Sequence, residues 1–390
     1  MLYNRHPSAA VTAIADPSEE AFKAGAERRK AGGITEFRKY LDPEEMFRKE
    51  KGKTDWMIIA SPDDTHYEMS RKALEEGFHV FVEKPFCQTL EQADHLISLA
   101  ESKKLRLVVG CELRYAEPVR IFKERLARGD AGKIITGYCI DSISKGYTYF
   151  LRNYRQKRFS RNLLFVKGIH SLDLIRCFLP SDPVQVYAQG GKDFFGTDPE
   201  FRGRFCRDCL FSSDCPYSAF TVPSWGGEFG PKGPDARDHC VWDPSSDAED
   251  NISLTVRNAD GTGYTFHEIH FAPQYTREFH FIGTTGKLSL VLDQTPYGTG
   301  EPFSDSGTAS ISLTRRNLPE ESENIPAAPG SHWGGDERMR DALITAFLSG
   351  NTISPDGREA RASLAVAAAA ELSMNRNGPV KIPQAGEKMK

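Results

Sequence analysis

Phe78-His79-Val80-Phe81-Val82-Glu83-Lys84-Pro85 is the stretch on which the fold turns: an aromatic and β-branched run that stops abruptly at a charged pair. The run predicts a buried strand, and Thr89-Leu90-Glu91-Gln92 just beyond it reads as a capping-box helix start. A strand that leads into a helix, with its charges at the carboxyl end, is where open α/β sheets place their chemistry. Upstream and downstream the alternation repeats. Strands are expected at 11–15, 55–60 and 105–110, and helices at 18–31, 43–51, 64–77 and 89–103. This is βαβ order, which implies a doubly wound parallel sheet. The first of these strands, Val11 to Ala15, ends in Asp16 with no Gly-rich loop before it, so the first βα unit of such a sheet is expected to be missing.

After Cys111 the pattern changes. A helix at about 116–128 and a strand near 133–141 precede a Tyr- and Arg-rich loop, Ser144 to Arg161, and a helix beginning near Gly168. Beyond 183, runs at 252–256, 264–267, 277–282 and 287–291 alternate in side-chain character and are separated by Gly, Asn and Asp, as in an antiparallel meander with one buried face. Helical patterns return at 336–349 and 357–373, where Ala365 to Ala370 implies close packing. The expectation is an α/β protein: a Rossmann-type domain over 1–112, then an α/β domain over 113–390 with a large, mostly antiparallel, open-faced sheet and a Cys-rich insertion at about 200–245.

A chain of 390 residues is long enough for two domains. Its net charge of −4 and lack of basic blocks argue against nucleic acid as a partner. No apolar run is long enough to cross a bilayer, and Met1 to Pro7 lacks a signal-peptide layout, so the expected setting is cytoplasmic.

Several side chains could carry chemistry. Asp16, at a strand end, can accept from the ribose hydroxyls of a dinucleotide and would repel a 2′-phosphate; equally, Asp16-Pro17-Ser18 is a good helix start with no ligand. Ser61-Pro62-Asp63-Asp64-Thr65-His66 is a turn into a helix N-terminus, which favours an anion. Lys84 can donate to a substrate hydroxyl and carry its proton, with Glu83 fixing its position. His170 and Asp173, three apart, share a helix face, so Asp173 can orient the imidazole as an acid/base; a structural histidine is the alternative. Tyr147, Tyr149 and Arg152 offer hydroxyl and guanidinium donors for a polyol, or pack on a partner. Cys206, Cys209, Cys215 and Cys240 read first as a structural zinc site, then as unligated thiols, then as disulfides.

In five of its motifs the chain resembles the Gfo/Idh/MocA family of nicotinamide-dependent sugar and polyol oxidoreductases. The matching pieces are Ala13-Ile14-Ala15-Asp16-Pro17, Ile59-Ala60-Ser61-Pro62 through His66, Val82-Glu83-Lys84-Pro85-Phe86, Leu113-Arg114-Tyr115 and Gly168-Ile169-His170-Ser171-Leu172-Asp173, in the family's order. Cys215-Pro216-Tyr217-Ser218-Ala219 looks like one branch of it. The resemblance implies NAD rather than NADP, held at Asp16, Ser61, Pro62, His66, Glu83, Lys84 and Arg114. It also implies hydride transfer from a secondary carbon of a sugar, polyol or glycoside. Lys84 and His170, with Asp173 and Tyr147, would be catalytic; Lys84, Tyr147, Tyr149, Arg152, Lys167 and His170 would line the substrate. Two variants remain open, a glycoside cleavage through transient oxidation and a non-catalytic sensor. Many family members have Asp where this chain has Val166, beside Lys167, and their G-x-G-x-x-G loop would lie before residue 1. The expected partners are a small sugar, polyol or glycoside and further copies of the chain, as a homodimer or homotetramer.

Overall fold

A computed structural model describes residues 6–222, 229–230, 232–233, 236–295, 307–326, 331–387 and 389; the first five residues of the segment read above for a leader lie outside them. The chain divides into two compact units, Met1–Glu117 with Ala328–Arg361, and Pro118–Ala327 with Ala362–Lys390. Residues 328–361, expected in the second domain, thus belong to the first.

In unit 1, β1 (Ala13–Ala15) and β2 (Arg38–Tyr40) pair in parallel. Separately, β3 (Trp56–Ile59), β4 (His79–Glu83) and β5 (Leu107–Gly110) form a parallel sheet in that order. Helices α1 (Glu19–Ala24), α2 (Ala26–Ala31), α3 (Pro43–Glu50), α4 (His66–Glu76) and α5 (Leu90–Ser102) connect them. The expected single helix over 18–31 is divided at Gly25, and β2, three residues with two exposed charges, carries no period that a sequence reading could catch. The parallel strands therefore make two sheets, β1-β2 and β3-β4-β5. The hydroxyls of Thr12 and Thr54, 3.1 Å apart, link the chain just before β1 to that just before β3, and Ile58 on β3 is 43 % exposed.

Local chemistry sets the helix boundaries. Ser18 accepts from Ala21 N–H, and Asp42 caps α3 with Pro43 in its first turn. Thr89 and Gln92 form the reciprocal capping box expected of them. Gly77 stops α4 at φ +97°, a left-handed conformation that suits glycine. Val80, Phe81 and Val82 are buried. Phe81 and Val108 pack with Met339, Leu343 and Ile344 of the returning segment, and this apolar contact recruits residues 331–361 to unit 1.

Unit 2 is built on nine strands, β6 (Ile134–Ile143), β7 (Pro183–Gly191), β8 (Asn251–Asn258), β9 (Gly263–Ile269), β10 (Tyr275–Gly283), β11 (Lys287–Asp293), β12 (Thr308–Thr314), β13 (Glu321–Ile325) and β14 (Val380–Lys381). Their order is β13-β12-β11-β10-β6-β9-β8-β7-β14, antiparallel except for the β6–β9 pair. The helices are α6 (Glu117–Arg128), the one-turn α7 (Tyr147–Phe150) and α8 (Lys157–Ser160), and α9 (Ile169–Phe178); α10 (Gly335–Ser349) lies in unit 1, and α11 (Gly357–Arg376) runs from unit 1 into unit 2. One sheet face is apolar: Phe122 of α6 and Phe178 of α9 meet Phe281 at ring distances of 6.0 Å each. Ala365 to Ala370 on α11 are all buried, as their small side chains imply. The other face carries polar pairs such as Ser253–His267 and His280–Ser289, together with half-exposed Tyr138 and Tyr187.

A two-stranded sheet is marginal on its own, and Glu50 supports this one. Its carboxylate accepts from Arg38 at 2.6 and 2.5 Å, from Tyr40 at 2.7 Å and from Thr54 at 3.2 Å. The Arg38 hydrogen bonds, against the cost of burial, hold the Glu50 carboxyl down at about 2. Glu50→Ala should lower amide exchange protection over Arg38–Tyr40 by roughly one to two orders of magnitude, leaving Val80–Val82 unchanged. Equal loss in both sheets would show that the two are not independently held.

Candidate functional site

The carboxyl ends of β3 and β4 are joined by one side chain. His66, the first residue of α4, is buried, with Nδ1 2.7 Å from the Pro85 carbonyl and Nε2 2.9 Å from that of Ser61. The turn that it anchors is closed by Ser61 and Thr65, whose hydroxyls are 2.6 Å apart. His66 is therefore a brace between the two turns, and Ser61, Pro62 and Lys84 are what those turns present.

Around Lys84 the charges are crowded. Burial pushes the Asp63 carboxyl up, while Lys84 and then His66 pull it down. Burial, reinforced by Glu112, pushes Glu83 up to about 7 in spite of Lys84. Gly110 gives Glu83 its space, since a methyl there would lie 2.9 Å from Oε2. Behind them, Glu112 lies 3.8 Å from Nε2 of His332, and Nδ1 of His332 is 2.9 Å from Asp336. Sequence reading missed Asp63, Glu112 and His332. Glu112 had a usable signal, its position two residues past β5, whereas His332 is about 250 residues from Lys84 in sequence.

Two expected cofactor residues have structural employment. Asp16 accepts from Ser18 N–H at 2.8 Å and so closes the turn that sets Ser18, the cap of α1, a local role beside the ribose role above. The Arg114 guanidinium, 5 % exposed, donates to Ser354 Oγ at 2.6 Å and pairs with Glu359 at 3.1 Å, while Tyr115 donates to the Ser354 carbonyl. The pair Arg114-Tyr115 thus fastens the returning segment within unit 1.

In unit 2, Lys167 lies on a π-helical turn, Leu164–Gly168, that leads into α9. Its Nζ is 2.6 Å from the Tyr275 hydroxyl. Asp141 on β6 accepts from Ser171 Oγ at 2.7 Å and lies 3.7 Å from Arg277 Nε. Burial raises Asp141 to about 6 against the pull of Arg277. Glu268 and His270 pair at 2.6 Å. His170 is buried one turn along from Lys167, and Asp173 accepts from Ser363 Oγ of α11 at 3.5 Å. Tyr149 stands edge-on to His270 at 5.4 Å, with Arg152 5.8 Å over its ring. Tyr147 turns elsewhere, its hydroxyl 3.0 Å from Thr221 in the aromatic core of the insertion. Asp141, Glu268, His270, Tyr275 and Arg277 were all missed, because each sits in an alternating strand pattern or just after one and only the register brings it to Lys167.

A bridge between Phe205 and His239 sets Cys206 beside Cys240, and all four cysteines line one cavity of about 260 Å³. They are free thiols, so the disulfide alternative is not realised. Burial pushes the Cys206 thiol up to about 12 and the Cys240 thiol up to about 11. Among the described residues no three His, Cys, Asp or Glu side chains are placed to hold a metal ion, and the zinc expected at Cys206, Cys209, Cys215 and Cys240 is not shown.

A parallel-stranded unit with Lys84 at a strand end, followed by a unit with a broad mixed sheet, is the layout of a Rossmann-like sheet followed by a large, mostly antiparallel one. Residues 1–111 match the model for an oxidoreductase family with an NAD-binding Rossmann fold, and residues 119–289 match the GFO/IDH/MocA C-terminal domain. The chain belongs to the Gfo/Idh/MocA family of oxidoreductases. It is similar to the protein named "Putative oxidoreductase YteT" of Bacillus subtilis (strain 168), 28 % identical over 77 % of this chain and 74 % of that one. Among solved structures it is similar in fold to a levoglucosan dehydrogenase in complex with NADH and levoglucosan, with a TM-score of 0.70 and 16 % identity over 96 % of this chain and 90 % of that one. An aldose-aldose oxidoreductase from Caulobacter crescentus complexed with glycerol gives a TM-score of 0.67 and 17 % identity over 97 % and 94 %.

Because Glu83 is raised from 4.5 to about 7, the folded state holds its proton longer than the unfolded chain does. The stability this contributes is complete below pH 4.5 and is lost as pH rises towards 7, a loss on the order of 3 kcal/mol. Glu83→Gln should flatten the fall in melting temperature between those limits. An unchanged pH dependence would mean that another group sets it.

Proposed function

We propose that this protein is an NAD-dependent oxidoreductase that removes hydride from a secondary hydroxyl-bearing carbon of a sugar, polyol or glycoside. The observation that carries the reading is the setting of Lys84: an ammonium at the carboxyl end of β4, braced through Pro85 and His66 and faced by the carboxyls of Glu83 and Asp63. The donor set suits a dinucleotide. The Asp16 carboxylate would take the ribose hydroxyls and disfavour a 2′-phosphate, and the Ser61–Thr65 turn at the start of α4 would take the phosphates.

When bound, the nicotinamide supplies the hydride acceptor. Lys84 would hold the reacting hydroxyl and steer its proton, while Glu83, titrating near neutrality, exchanges that proton onward. For unit 2 we assign substrate binding to His170, Lys167, Tyr149 and Arg152. Tyr147, held in the core of the insertion, would act only through that core. The open sheet face would be covered by another copy, giving a dimer or tetramer. No helix among the described residues is long and apolar enough to cross a membrane.

Titrating the chain with NADH and following nicotinamide fluorescence should give saturable binding. Lys84→Met should keep that binding and lower sugar-dependent NAD+ reduction by about 10²- to 10⁴-fold. Failure of the wild-type chain to bind NADH would defeat the reading. Sugar cleavage without net NADH would redirect it to transient oxidation.

A further inference from the structure

We propose that His332 is the outlet for the proton that Glu83 takes over from Lys84, reached through Glu112; this rests on the oxidation proposed above and adds the steps after Glu83. Every group in the path belongs to unit 1. Glu83 ends β4 opposite Gly110 of β5, and a methyl on Gly110 would lie 2.9 Å from its Oε2, so the carboxyl leans over the end of β5. Glu112 opens the turn Glu112–Tyr115 just beyond. Nε2 of His332 is 3.8 Å from Glu112 Oε1, and its Nδ1 is 2.9 Å from Asp336 Oδ2. Side-chain exposure rises from 10 % at Glu112 to 31 % at His332, so the row leads from the strand end to solvent.

The backbone is bent to place this imidazole. His332, Trp333 and Gly334 have φ of +51°, +53° and +74°, three successive positive values of which only the last falls on glycine. A bulky side chain there is strained, and it persists where the surroundings over-determine it. Here they do. Trp333 is fully buried, and Arg338 donates to its carbonyl at 2.9 Å. The start of α10 presses on the Glu112–Tyr115 turn so closely that a methyl on Gly335 would lie 2.5 Å from the Glu112 carbonyl oxygen. Glu112 and His332 are thus fixed to one contact between turn and helix.

A carboxylate on Nδ1 makes that nitrogen the one bearing hydrogen and leaves Nε2, toward Glu112, to accept. The charged groups around the imidazole are Glu112 from its turn, Asp336 and Arg338 from α10, and Glu83 and Lys84 at the end of β4. The carboxylates favour an imidazolium and the two cations oppose it. Burial and then Glu112 raise Glu83, and Asp336 adds to the rise against Lys84, so a proton on Glu83 is shared with the carboxyls beside it. The row moves protons only. The proton that Lys84 steers from the alcohol forms the Glu83 O–H bond; that bond breaks as Glu112 O–H forms; Glu112 releases it to Nε2 through one water that bridges the 3.8 Å. The imidazolium, paired with Asp336, returns it to bulk water.

The test is a pH titration of the full chain by nuclear magnetic resonance with carbon-13-labelled histidine, and thermal melts to confirm folding. His332→Gln assigns the His332 signal. Glu112→Gln should lower the His332 midpoint by about one pH unit and Glu83→Gln by a smaller step, whereas Glu68→Gln, on the exposed side of α4, should not move it. A midpoint that either of the first two variants leaves unmoved overturns the proposal; if Glu112→Gln does not fold, Glu83→Gln decides alone. With a sugar that is turned over in dilute buffer, His332→Gln should lower kcat by about 10²-fold at unchanged KM for NAD+, and added imidazole should restore it. An unchanged kcat, or a loss that imidazole does not restore, overturns the outlet role alone. Absence of NADH binding beside an intact coupling overturns the oxidation, and the outlet with it.

Discussion

His66 imposes the constraint on which the strand-end site depends. Its imidazole lies between two main-chain carbonyls from successive βα turns, Ser61 at 2.9 Å and Pro85 at 2.7 Å. Buried carbonyls need partners, and the ring lies within hydrogen-bond distance of both while a neutral imidazole donates to one of them, so its packing between the two ties the turn after β3 to the turn after β4. Lys84 lies inside the second turn and inherits that fixity. An ammonium on a four-carbon stem is otherwise poorly placed for proton transfer, because its rotamer entropy must be overcome. Here the backbone supplies much of the positioning, and Asp63 and Glu83 supply the field.

Unit 2 meets a different requirement, that of keeping Lys167, Arg277, Asp141, Glu268 and His270 away from water. An isolated buried charge would cost several kcal/mol. The cluster avoids this through complementary pairing across β6, β9, β10 and α9: Lys167 with Tyr275, Arg277 with Asp141, Glu268 with His270. Removing one member strands its partner, so these residues are coupled in energy as well as in titration.

Legibility in the sequence followed the range of the interactions. The strand ending in Glu83, the capping box at Thr89 and the Gly77 stop are encoded within a few residues and were readable directly. So was the meander, since β8 and β9 alternate buried and open positions along their whole length. The return of residues 331–361 to unit 1 depends on Met339, Leu343 and Ile344 finding Phe81 and Val108, and no local period announces that choice. The same holds for Tyr275, which reads as one more strand aromatic until register places it at Lys167. The four cysteines, spread over 35 positions in sequence, are gathered around one cavity by the Phe205–His239 bridge, which their spacing alone does not announce.

Two glycines show how local sequence and buried chemistry are tied together. Neither Gly110 nor Gly168 has the positive φ that usually accounts for a glycine. Each lies instead where a carboxylate must approach the backbone. A methyl on Gly110 would stand 2.9 Å from Glu83 Oε2, and one on Gly168 would stand 2.1 Å from Glu268 Oε2. At Gly110 the missing side chain admits an acid that desolvation then acts upon, which is how Glu83 comes to titrate near neutrality. In both units glycine lets a carboxylate close on the backbone, at positions where its conformational freedom is not needed.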